Sequence, residues 1–81
     1  MPRIQRADFP KELLRHLLAR VQERRISLEA LHQVVHWLDS NPTVHSGPWY
    51  KRFQGVTICG HGSLVKTFLT PQQTALGTEV E

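Results

Sequence analysis

The sequence predicts an α+β fold, with two N-terminal helices packed on a small three- to four-stranded antiparallel sheet. Three observations predict it. Before position 40, apolar residues recur at spacings of three and four, the signature of helices with one buried stripe. After position 48, β-branched and aromatic residues gather in short runs separated by glycine and proline. Each run has one apolar side, and the simplest way to bury them all is to lay the helices on one face of the sheet.

The first helix is expected over residues 10–25. Pro10 suits the first helical position, with Asp8 just outside it. Leu13, Leu14, Leu17, Leu18 and Val21 make its apolar stripe. Ser27 is a good N-cap for a second helix over 28–39, where Leu28, Leu31, Val34, Val35 and Leu38 share a face and Trp37 flanks it. Asp39-Ser40-Asn41-Pro42 stops that helix, because a residue before proline is pushed out of the helical region. Residues 43–48 read as a loop. Strands are expected at Trp49–Phe53, Val56–Cys59 and Leu64–Leu69, with Gly60-His61-Gly62-Ser63 as a hairpin turn. Pro71 ends the third strand. The polar tail over 72–81 has room for a short edge strand at Thr78–Val80.

A length of 81 residues suits one domain, 1–81, and excludes large barrels, which need about 250 residues. The longest uncharged stretch, Phe53 to Val65, is too polar to span a membrane. No leader is visible, and a single cysteine, Cys59, makes no internal disulfide, so a cytoplasmic protein is expected. The net charge of +3 is unevenly distributed. Residues 1–25 carry seven Arg/Lys against three carboxylates, a local +4, and the remainder is −1. A clustered positive field favours polyanions such as nucleic acid, by steering and counterion release.

One constellation on the first helix suits phosphate chemistry. His16, Arg20 and Arg24 recur every four residues, and each step of four turns by about 40°. The set would line the seam between helix and sheet. Arginine offers planar bidentate donors to phosphate oxygens, and histidine moves protons near neutral pH. The same residues also suit a bland role, with His16 at a helix border and the arginines paired to Glu12 or Glu23. Trp49-Tyr50-Lys51-Arg52-Phe53 interleaves aromatics with cations, which suits stacking on a single strand and equally suits an edge strand covering the core. His32 and His36 are four apart but have no third ligand, so no metal site is expected. Cys59 has no neighbouring base, and Gly60-x-Gly62 does not precede a helix.

The stretch from His16 to Ser27 resembles the H-x-x-x-R-x-x-x-R-G-I-S opening of small toxin-like domains. Those belong to the barnase/colicin/RelE-like ribonuclease superfamily, and the likeness is nearest to its colicin D-like members. The resemblance implies metal-independent RNA cleavage without a cofactor, with tRNA as one candidate substrate, in a groove between helix and sheet. It also implies an acidic antitoxin or immunity protein as partner. His16 would then act as general acid or base, with Arg20 and Arg24 on the scissile phosphate. Lys66 and Thr67 would complete the catalytic set. Arg15, Arg25, Lys51, Arg52, Trp49, Tyr50 and His61 would bind RNA, and His61 is the best candidate for a second proton donor. Arg25 stands where the pattern has glycine. The competing expectation is a non-catalytic module of the same fold that binds nucleic acid or protein.

Overall fold

A computed structural model describes residues 2–80. Its elements are a 3₁₀ turn at Arg6–Asp8, α1 (Lys11–Gln22), α2 (Leu28–Asp39), β1 (Pro48–Phe53), β2 (Val56–His61), β3 (Leu64–Leu69) and β4 (Thr78–Glu79). The strands form one sheet in the order β3-β2-β1-β4. α1 packs over β3 and α2 over β1, so both helices lie on the same face.

α1 is shorter than the sequence suggests, and its end explains why. Pro10 is the N-cap, one position before the expected place. At the other end Arg24 adopts a left-handed conformation, with φ of 62°. The Arg25 N–H donates to the Arg20 carbonyl (2.9 Å) and the Arg24 N–H to that of Val21 (3.0 Å). This is the Schellman arrangement, usually built on glycine, and it stops the helix at Gln22. α2 closes in a related way, with Asn41 at φ 55° and its N–H on the Leu38 carbonyl (3.2 Å). Its start is as expected: the Ser27 hydroxyl accepts from the Ala30 N–H at 3.1 Å.

The sheet is mixed rather than wholly antiparallel. β1–β2 and β2–β3 are antiparallel, but β4 runs parallel to β1, pairing Trp49 with Thr78 and Tyr50 with Glu79. The reason is the route of the chain. β3 lies at one edge, and residues 70–77 carry the chain across to the opposite edge before β4 begins. Such a crossover delivers a strand parallel to β1. Gly77, at φ 109°, lies against Pro48 so closely that a side chain there would strike the Pro48 carbonyl.

The core sits between the helices and the sheet. Leu13 and Leu17 of α1, Ala30, Leu31, Val34 and Leu38 of α2, and Trp49, Val56, Ile58 and Val65 of the sheet are buried. Ile4 and Val44 join them from segments with no periodic signal. They are held by an Ile4 N–H to Pro42 carbonyl bond (3.1 Å) and a Val44 N–H to Pro2 carbonyl bond (2.8 Å). Leu14 and Leu18 are exposed, so the true apolar stripe of α1 is narrower than predicted.

Gly60 belongs to strand β2 and not to the turn. It pairs with Trp49, and a Cβ there would run into the indole ring. The missing side chain makes the slot in which Trp49 is fully buried. The turn that follows is Gly62-Ser63, with Gly62 at φ 58°.

Candidate nucleic-acid interface

The residues singled out from the sequence separate into three places. The first is α1. Arg15 and His16 are exposed, and Arg20 is partly buried. Leu14 lines a groove shared with α2, and His16 and Arg20 point roughly 120–160° away from Leu14 around the helix axis. They therefore lie on the flank turned away from α2, beside the outer edge of β3. The Arg20 guanidinium is engaged by Glu23 at 3.3 Å, and Glu23 also lies 3.6 Å from Arg25. Arg24 departs from the expected stripe. It stands beyond the helix end in a left-handed conformation, and its exposed side chain is on the interhelix turn with Arg25. The left-handed residue falls one position before the glycine of the resembled pattern, which is how Arg25 is accommodated.

The second place is the edge strand β3. Its register with β2 slips once: Cys59 pairs with Thr67, but Gly60 pairs with Val65. Lys66 is the extra residue of this bulge. It is exposed and makes no ion pair among the described residues. A lysine on a bulge also guards an edge strand against pairing with another chain. No hydrogen bond or ion pair joins His16, Lys66 and Thr67 to one another among the described residues.

The third place is the sheet face opposite the helices. Strand alternation and register put Tyr50 and Arg52 of β1, Thr57, Cys59 and His61 of β2, and Thr67 of β3 on it. Thr67 thus looks away from the helix–sheet seam where it was expected. The Arg52 guanidinium lies 5.5 Å from the Tyr50 ring centroid, within cation–π range. Glu79 of β4 meets Arg52 at 4.0 Å, the outer limit of an ion pair. Burial pushes the Cys59 thiol above its ordinary 9.0.

The aromatic run Trp49–Phe53 divides by parity. Trp49 is 0% exposed and offers no ring to a nucleobase, contrary to the RNA-binding role expected of it. Its N–H donates to the Gly62 carbonyl at 2.8 Å, and its ring meets Trp37 edge-on at 5.9 Å. Lys51 shares that inner side, half-buried, with its ammonium 5.9 Å from the Phe53 ring. Tyr50 and Arg52 remain for a ligand. Sequence reasoning missed Thr57, Gln73 and Thr74, which border a pocket of about 390 Å³ with Arg52. The strand register was the signal that would have paired Thr57 with Arg52.

Among the described residues, no three His, Cys, Asp or Glu side chains gather as a metal site, and no helix is long and apolar enough to cross a membrane. No family model, curated protein or solved structure matches the chain.

Proposed function

We propose that the domain binds RNA along the α1 flank and over the β3 edge, and cleaves it without a metal. The observation that supports this most is the seating of α1 on β3, which sets the His16 and Arg20 flank beside the strand bearing Lys66. A single strand passing over that edge would meet Arg15, Arg20 and Lys66 on its phosphates. Cations held by a folded scaffold stabilise the charge that develops on a pentacoordinate phosphorus. His16 would take the proton of a ribose 2′-hydroxyl. The oxygen would attack phosphorus, and the bond to the 5′-oxygen would break as that oxygen is protonated. His61 is exposed at the end of β2 but stands on the outer sheet face with Thr67, away from His16, so solvent water would supply that proton. The resemblance of the His16–Ser27 stretch supports the same reading, with tRNA as candidate substrate and an acidic antidote protein as candidate partner.

One specific observation favours the second reading, a binding module without catalysis. Arg20 is occupied by Glu23, and Thr67 lies on the opposite sheet face from His16. A single experiment separates the two. Total tRNA incubated with the protein in EDTA should be cut, and His16→Ala should slow cutting by about 10²-fold or more. Equal cutting by His16→Ala, or none by the wild type, removes the catalytic reading. RNA retention without cutting leaves the binding module.

A further inference from the structure

We infer that the pocket beneath the 70–77 crossover binds a single nucleotide, with its phosphate on Arg52. This deepens the RNA reading above but uses a different surface, and it stands or falls on its own measurement.

The pocket lies between the β1–β2 ends and the crossing chain. Arg52, Phe53, Val56 and Thr57 line it on the sheet side, and Pro71, Gln73, Thr74 and Ala75 on the other. Its volume of about 390 Å³ falls within the range of ligand sites. The two halves differ in chemistry. The Phe53 and Val56 side chains turn inward to the core, so Pro71 and Ala75 of the crossing segment give the apolar wall suited to the flat face of a heterocycle. The polar residues are predominantly donors. Arg52 brings a guanidinium, Thr57 and Thr74 bring hydroxyls, and Gln73 brings an amide NH₂. The Gln73 carbonyl oxygen is already engaged, accepting from the Thr70 N–H at 3.0 Å and the Thr70 hydroxyl at 3.3 Å. Those bonds, with the Gln73 N–H on the Thr70 carbonyl (3.0 Å), brace the roof. They leave Gln73 with donors to offer. No carboxylate lines the pocket.

A donor-rich, singly cationic and partly apolar pocket fits a ligand with an anionic end, several acceptors and a planar apolar body. A nucleoside monophosphate has all three. Arg52 and Thr57 are cross-strand partners on one face, so guanidinium and hydroxyl stand side by side. The Tyr50 ring beneath Arg52 holds the guanidinium plane, and the 4.0 Å contact to Glu79 is loose enough to yield to phosphate.

The same nucleotide chemistry reaches the pocket as free mononucleotide or as one unit of an RNA strand. The test uses AMP, GMP, CMP and UMP, a short oligouridylate and inorganic phosphate, each titrated by calorimetry at low salt. At least one mononucleotide should bind more tightly than phosphate. Arg52→Ala should weaken it by about tenfold or more, the loss expected for a hydrogen bond to a charged group. Thr57→Val should weaken it several-fold while thermal unfolding stays unchanged. Oligouridylate binding tighter than UMP, with the excess lost in Arg52→Ala and kept in His16→Ala, assigns the strand as the source, and an oligouridylate no more sensitive to Arg52→Ala than UMP assigns the free nucleotide. His16→Ala should leave mononucleotide binding intact, which separates this pocket from the α1 surface. Phosphate binding as well as every nucleotide, no nucleotide binding at millimolar concentration, or an Arg52→Ala variant that binds as the wild type would each overturn the assignment.

Discussion

The two faces of the sheet differ in what they do with similar residues. On the inner face Trp49 is sealed under α2, against Trp37, in the slot left by Gly60. On the outer face its neighbour Tyr50 stays half-exposed, with a guanidinium over its ring. One residue of separation converts an aromatic from a structural anchor into a surface for ligands, because successive strand side chains point to opposite faces. The inner face holds the domain together, and the outer face is free for function.

The sharpest way to break this comparison is to truncate both aromatics. Trp49→Ala should cost about 3–5 kcal/mol, the loss for a large buried aromatic, and Tyr50→Ala about 1–2 kcal/mol, read by denaturant unfolding. Similar costs for the two would mean that the outer face is as closely packed as the inner. A smaller effect is expected at the end of α1. Arg24→Gly should stabilise the domain by about 1 kcal/mol, because the left-handed conformation penalises any side chain with a Cβ. A loss of stability there would show that the Arg24 side chain contributes packing that outweighs its backbone strain.

The smallest effect concerns Cys59 on the outer face. Burial raises its pKa above 9.0, so the folded protein holds its thiol proton more tightly than the unfolded chain does. Alkylation at pH 8 should be slower in the native protein than in urea. As pH climbs past 9.0 the unfolded state loses its proton first, so this contribution to stability declines. Equal alkylation rates in both states would place Cys59 in open solvent.

The helices were legible because their signals are local. Ser27 caps α2, and the spacing of Leu31, Val34 and Leu38 identifies its inner face. The strands were legible from composition, but the glycines misplaced the end of β2, which runs on through Gly60 and His61 before the turn. The candidate site was legible in part. The sequence placed His16 and Arg20 on one helix, but the turn that removes Arg24 from their stripe depends on a left-handed residue where no glycine or asparagine announces it. It also counted Trp49 among the ligand contacts, since period-two alternation divides a strand without saying which half is covered.

The sequence by itself determined the order of elements, the capping of α2, the concentration of positive charge before position 26 and the presence of one apolar side on each segment. These follow from propensity and periodicity, which act over a few residues. The tertiary structure alone decided that β4 joins in parallel, that Ile4 and Val44 complete the core, and that Thr67 faces away from His16. Each of these depends on contacts between residues far apart in the chain. The crossover at 70–77 shows the reason most directly. A polar stretch with little pattern of its own becomes the roof of a pocket only because β3 and β4 occupy opposite edges of one sheet.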